Sequence, residues 1–569
     1  MKKILFLTFL NLLFSLPVYA SIKVAVMPFE VLSKNPDIKQ FGIGTTDTLT
    51  NALGSIPEFV MVDRGQLSTI MKEQAFQQSG FTNAYESIKL GKILNIELLV
   101  VGSIQDENNI YRITARFTDV ATGKVVKSVQ VTGNSIFNLQ DQLANELINS
   151  QKILTTPQQK TRIEDITKAT INVAAYDYYT KGRTEYFRQT QIGFRNAINY
   201  FDQALNVDKN YTLALASKSE AQALLAYELK KNGMDFSSLL KESENNASEA
   251  IRQKDDLAES HRALSIVYSL LKKHKEGQVE AQKAIMLNPN DAEAYVSLWL
   301  NNKFNPEDPN IHKAIALNPY LAPAYNNLGL AYSIKRKYEL AISNFQQAIK
   351  VNPEYISSYL NLGLLYQQQN KAEEAISYFQ QAIKVNPNYA FSYYHLGNIY
   401  NEQNNLDQSI IQLNKAIVIN PNFYSAMINL ANIYNRQQNF KEATNMFNNI
   451  LKIKPHDEQS IKELNKIYHN MAFDYYSKTN FKEAINTYNQ ILVLNPKDVS
   501  ALTNLGVSYY AISNFEQSEH NYLKAINLNP NDANIHYNLG ITYKAQGNND
   551  LATKEFKKAC ELGYKSSCQ

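Results

Sequence analysis

Tryptophan and cysteine are nearly absent. One Trp stands against 36 Tyr in 569 residues, an imbalance that points to one aromatic position used repeatedly. The two cysteines, Cys560 and Cys568, leave too few ligands for a metal cluster. The eight histidines, at 261, 274, 312, 395, 456, 469, 520 and 536, form no HExxH or HxxxH pair, so no metal site is expected. There is no Walker loop, no GxSxG elbow, and no cysteine beside a histidine in a nucleophile setting. FGIGTTD follows its strand only after a long polar insertion and lacks a third glycine, so it does not read as a nucleotide site. No catalytic residue and no cofactor is expected, and the chain does not read as an enzyme. An excess of charge is missing too. Its 57 basic and 53 acidic residues give a net charge of +4, or about +2 without Lys2 and Lys3, too little for a strong pull on nucleic acid.

Long apolar runs are likewise missing. The run Ile4 to Leu16 inside MKKILFLTFLNLLFSLPVYA is thirteen residues, short of the roughly twenty that a membrane-spanning helix needs. Its basic start and the small residues around Ala20 read as a cleaved secretory signal over 1–20. No cysteine follows to accept a lipid, so a mature chain from Ser21 is expected to be periplasmic or secreted, without stable membrane insertion.

A mixed domain is expected over 21–153. IKVAVMPFE and EFVMVDR read as strands flanking a helical stretch around TTDTLTNALGSI. Two short helices, GQLSTIMKEQAF and YESIKLGKILN, lead to the strands IELLVVGSIQ, YRITARFTDV and KVVKSVQVTG, the last two joined by a hairpin at Gly123. A helix over about 135–150 closes an α/β sandwich. The polar segment 154–175, with TTPQQKTRIEDITK, reads as a linker. The pieces VAVMPFE, VDRGQLSTIMKEQ, LGKILNIELLVVGSI and RFTDVATGKV resemble the periplasmic core of the curli-secretion lipoprotein (CsgG) family and the amino-terminal domain of TolB. Pore-forming members carry a lipid anchor and extra membrane-spanning hairpins that are absent here, so the resemblance implies a docking domain that oligomerises or meets the cell envelope.

From Pro289 onward proline recurs at 319, 353, 387, 421, 455, 496 and 530, in steps of 30, 34, 34, 34, 34, 41 and 34. A 34-residue period marks helix pairs stacked into a solenoid, each ended by a proline that cannot continue a helix. Within one unit Tyr325, Leu328, Gly329 and Tyr332 share a face of one helix, and Ala341, Phe345 and Ala348 a face of its partner. Tyr359, Leu362, Gly363, Tyr366, Ala375, Phe379 and Ala382 repeat the scheme: large side chains fill, small ones admit the neighbouring helix. This pattern resembles the tetratricopeptide repeat (TPR) family over 258–569, which implies an all-α superhelical solenoid after the α/β domain. Residues 176–257 fit more loosely, as degenerate repeats with Ala197, Phe201, Ala204, Ala247 and Ala250 at the partner-helix positions.

Two units break the period. The seven extra residues of the 41-residue step amount to about two turns and predict a longer helix through SIKELNKIYHN. The 30-residue step loses about one turn and puts Trp299 where other units have a small residue, so either a bend or a filled void is expected there.

Cys560 and Cys568 lie eight residues apart in a chain expected to be exported, where thiols tend to pair. A continuous helix would hold them about 12 Å apart, beyond the roughly 4.4–6.8 Å that a disulfide spans, so pairing requires the helix to stop near Gly563. Free thiols or a redox pair are the alternatives. The spacing resembles that of Sel1-like cysteine-rich repeat proteins, which implies a staple on the last unit.

In the tetratricopeptide family the sixth residue of each first helix faces the concave surface. Here that position reads Asn327, Asn361, His395, Asn429, Asn470, Asn504 and Asn538. An amide offers both a donor and an acceptor, the pair needed to grip a peptide backbone whatever its side chains. The row resembles the asparagine ladder of the repeats in O-linked N-acetylglucosamine transferase, although no nucleotide-sugar site is found. The alternative is that the asparagines only stabilise neighbouring repeats through hydrogen bonds and are common by descent from one duplicated unit. No regular row of Lys and Arg lines the position, so capture of acidic tails is not expected. The resulting expectation is an exported scaffold that binds extended segments of a client protein while the α/β domain docks to an envelope assembly. A part in a curli-like outer-membrane secretion system, or a glycosyltransferase-associated repeat protein, are the alternatives.

Overall fold

The computed structural model describes residues 22–33, 38, 41–62, 89, 91–107, 110–231, 233–302 and 304–567. The signal segment 1–20, the helix expected over GQLSTIMKEQAF and Cys568 lie outside the described residues, as do residues 85–88 and 90 of YESIKLGKILN. The chain divides after Pro387 into two compact units.

In the first unit the apolar strand β1 (Ile22–Val26) runs parallel to β3 (Phe59–Val62) and to β4 (Leu98–Glu107). A strand flanked on both sides needs apolar residues on both faces, and IKVAV supplies them. Pro28 interrupts it. The short β2 (Glu30–Leu32) then continues along β4, pairing with Ser103–Gln105. Strands β4, β5 (Ile110–Asp119) and β6 (Val125–Gly133) form an antiparallel meander. The last turn is held by Asp119, whose Oδ1 accepts from the Thr122 amide and hydroxyl, both at 2.7 Å, with Gly123 at φ 69°. These bonds from Thr122 keep the Asp119 carboxyl below its ordinary range.

Helices α1 (Phe41–Gly54) and α2 (Ile136–Ser150, capped by the Ser135 hydroxyl) cover one face of the sheet. FGIG is therefore the first turn of α1, with Gly42 pressed against the Phe29 backbone, where a Cβ would come within 2.2 Å of a carbonyl oxygen. The segment read as a linker is not one. It holds α3 (Pro157–Thr167), started by a reciprocal Thr156–Gln159 capping box with proline in the first turn. Its Ile163 and Ile166 are buried in the same core as α1 and α2. Two apolar residues three apart in a polar segment were enough to anchor a helix.

The degenerate repeats form two helix pairs, Val173–Tyr186 with Gln191–Val207 and Thr212–Lys231 with Ser237–Gln253. Regular pairs follow, such as Ala322–Ile334 with Tyr338–Val351 and Ile356–Gln368 with Ala372–Val385. Their glycines permit close helix contact: a Cβ on Gly329 would meet the Phe345 ring at 2.7 Å, and one on Gly363 the Phe379 ring at 2.6 Å.

The 30-residue unit inverts this arrangement. Its helices, Ala292–Leu300 and Pro309–Leu317, have nine residues each. Trp299 takes the glycine position and the smaller Ile311 the phenylalanine position, both fully buried in one cluster. The void is filled, and the Trp299 indole donates to the Asn305 carbonyl at 2.6 Å.

In the second unit the pairs begin with Ala390–Glu402 and Leu406–Ile419. The expected long helix is Glu458–Ser477, twenty residues where regular first helices have thirteen. The last helix ends at Glu561, and the chain turns at Gly563 with φ 100° as its amide bonds Cys560 O. The stop that pairing of Cys560 would need is therefore present.

Candidate functional site

Each ladder residue lies on a first helix: Asn327, Asn361, His395, Asn429, Asn504 and Asn538 sixth, and Asn470 thirteenth in the longer helix. Their backbones are held by the helices, so only the side chains are at issue. Asn470 and Asn504 are exposed and the others half-buried.

The amides fall into two kinds. Asn361 Nδ2 donates to Asn326 Oδ1 of the preceding repeat at 2.8 Å. Asn429 does the same to Asn398 at 2.7 Å, and Asn470 to Asn435 at 3.4 Å. These three tie repeats together. Among the described residues no side-chain hydrogen bond is made by Asn327, Asn504 or Asn538, and Asn504 is exposed. The partners Asn326, Asn398 and Asn435 escape a reading of one ladder position, since their spacings of 35, 31 and 35 residues differ from the period.

His395 interrupts the polar row. Its ring lies 4.3 Å from Phe391 and 5.0 Å from Tyr394 between centroids, and Tyr394 in turn packs on Phe423 at 4.9 Å. Although part of the residue reaches the surface, Nε2 is buried, and burial pushes the imidazole down to about 4. A neutral aromatic ring thus stands where the neighbouring repeats have amides.

The degenerate repeats meet the α/β domain. Tyr176, on the first of their helices, is buried in the α/β core, its hydroxyl 2.7 Å from Thr48 Oγ1 and 3.1 Å from Gln140 Nε2. Farther along, Asn290 Nδ2 reaches the carbonyls of Gly54, Ile56 and Phe59 at 3.2, 3.0 and 2.7 Å. Early repeats therefore hold the chain's own α/β domain.

Comparison with known families agrees with this geometry. Models described as "Tetratricopeptide repeat" match residues 320–387, 357–420, 425–453 and 533–562, and "TPR repeat" matches 474–513 and 508–547. "Curli production assembly/transport component CsgG" matches residues 20–115. The chain is a tetratricopeptide repeat protein with a CsgG-like amino-terminal domain.

Solved structures similar to this TPR protein include a tetratricopeptide repeat protein from Parabacteroides merdae, 19% identical over 43% of this chain and 93% of that one, with a TM-score of 0.26. Yeast Tom70 is 18% identical over 69% and 93%, with a TM-score of 0.25. YrrB, described as a TPR protein with an unusual peptide-binding site, is 19% identical over 39% and 95%, with a TM-score of 0.19. A curated relative, putative adenylate cyclase 3 of Rhizobium meliloti (strain 1021), is 23% identical over 198 residues. The match takes in 34% of this chain and about a third of that relative's length, 32%. No helix among the described residues is long and apolar enough to cross a membrane.

Proposed function

We propose that this TPR protein is an exported, non-catalytic scaffold whose first-helix asparagines hold extended segments of a client while its CsgG-like domain docks to an envelope assembly. One observation carries the reading: Asn504 and Asn538, in consecutive repeats, offer amides that the fold does not use. Each donor and acceptor pair matches one peptide unit of any sequence. At about 1 kcal/mol net per hydrogen bond, recognition of this kind is broad and weak unless several repeats act together against the cost of association.

Docking through the CsgG-like domain has a physical basis in its outer strand. Among the described residues β6 pairs only with β5, and its Val125 and Val126 are half exposed. An unpaired apolar edge invites a further strand.

The test is titration of the full chain with fluorescent unstructured peptides of matched length and unrelated sequence. Similar affinities across the set support the proposal. Absence of saturable binding to all of them refutes it.

A further inference from the structure

The sheet of the α/β domain has two edges, and the fold treats them differently. At β3 the chain's own repeats close the edge: Asn290 Nδ2 donates to the Phe59 carbonyl at 2.7 Å, and Val60 packs against the cluster around Trp299. At the other edge, among the described residues, β6 pairs only with β5. A groove of about 480 Å3 runs along it, with the consecutive residues from Lys127 to Val131 on one side and Asp141, Asn145 and Glu146 of α2 on the other. Successive residues of a strand point to opposite faces. Since five in a row border the groove, it follows the unpaired backbone of β6 and not one face of the sheet.

The charges in the groove decide what fits it. Asp141 is already engaged, accepting from the Thr167 hydroxyl at 3.2 Å and facing Lys168 at 3.8 Å. Lys127 and Glu146 are exposed, and among the described residues neither forms an ion pair. One uncommitted cation on the strand and one uncommitted anion on the helix favour neither a basic nor an acidic partner. They make the groove complementary to itself, the condition for contact across a twofold axis.

We propose that β6 pairs antiparallel with β6 of a second copy of this chain, setting Lys127 of each copy against Glu146 of the other. The proposal rests on the reading that this edge accepts a strand, and it names the strand. Val129 is buried beneath α2 and Val131 packs beside it, so by alternation Lys127 points to the helix-covered face. A twofold axis normal to the sheet leaves both α2 helices on that one face, where lysine and glutamate can meet. Val125 and Val126, half exposed in the single chain, are then covered, and each β6 gains the partner that an edge strand lacks. Extension of the sheet into a ring would need β6 to meet β3, which the repeats close.

The experiment is sedimentation velocity of the full chain across a concentration series, with hydrogen exchange read at β6. Expected is a monomer–dimer equilibrium in which the β6 amides are more protected in the dimer. Val126→Lys, Lys127→Glu and Glu146→Lys should each weaken the dimer roughly tenfold or more, through a charge on the joined edge or like charges brought together. These side chains are exposed, so melting of the monomer should not move. An equimolar mixture of the Lys127→Glu and Glu146→Lys chains should dimerise better than either alone, because both contacts again join opposite charges. A chain monomeric throughout, a dimer indifferent to all three substitutions, or a mixture no better than its components overturns the proposal. A monomer whose β6 amides are protected by an added strand-forming peptide also overturns it, while leaving the docking reading in place.

Discussion

Two pairs of asparagines in residues 388–569 separate binding from repeat cohesion. Replacing Asn504 and Asn538 by alanine removes amides that bond nothing within the described chain. Stability should stay within about 0.5 kcal/mol of native, with alanine's helix propensity favouring a slight rise. If client backbone occupies these amides, two lost hydrogen bonds at about 1 kcal/mol each weaken binding by about thirtyfold, since tenfold corresponds to about 1.4 kcal/mol. The converse pair, Asn429 and Asn470, should behave differently. Its loss breaks the bonds to Asn398 at 2.7 Å and to Asn435 at 3.4 Å. The second is at the limit of a hydrogen bond, so stability should fall by about 1 kcal/mol rather than 2. Denaturant unfolding followed by circular dichroism, and anisotropy titration with unstructured peptides, measure the two quantities. Unchanged peptide affinity in Asn504→Ala/Asn538→Ala would refute the reasoning and mark the outward amides as inheritance from a duplicated unit. A large loss of stability in that variant would show instead that they hold repeats together.

Trp299→Ala should cost about 3–5 kcal/mol in denaturant unfolding, because the side chain is fully buried where a phenylalanine is missing from the partner helix; a loss below about 1 kcal/mol would contradict the filled-void account. Thr479 closes a helix pair at φ 57°, a left-handed conformation costly to a β-branched residue, and Thr479→Gly should gain about 0.5–1 kcal/mol after the entropy of glycine is set against the relieved strain; lower stability would refute this. The Glu293 carboxyl holds its proton up to about 8 in the fold but only to the ordinary 4.5 when unfolded. Its contribution is therefore complete below 4.5 and lost as pH rises towards 8, so Glu293→Gln should flatten the decline in chemical stability across that window; identical pH profiles for both chains would count against it. Cys560 and Cys568 should resist thiol labelling in the native unreduced protein, and Cys568→Ser should lower stability by about 2 kcal/mol; ready labelling of both would exclude the disulfide.

Local sequence determined the repeat. The prolines at the fixed step lie just past helix ends, and a seven-residue insertion lengthened one first helix from thirteen to twenty while keeping its apolar face inward. The hairpin at Gly123 and the turn at Gly563 were legible for the same reason: glycine permits a positive φ without neighbours having to agree. At most other helix-pair turns the left-handed residue is not glycine, as at Arg336, Asn370 and Thr479, and there only the packing of the two helices dictates the conformation.

Tertiary structure decided the allocation of side chains. Asn429 and Asn504 occupy the same position in the repeat, yet one is bonded to Asn398 and the other faces outward. The outcome depends on whether the preceding helix offers a partner within reach. Tyr176 reads as a repeat tyrosine but meets Thr48, 128 residues earlier, and Asn290 reaches the backbone of residues 54–59. Arg262 likewise looks like one more helical cation until folding buries it between Glu220, 42 residues earlier, and Asp291. Periodicity is a property of neighbours along the chain, whereas a hydrogen bond or a buried ion pair is a property of neighbours in space, and folding brings those together from segments whose sequences carry no trace of one another.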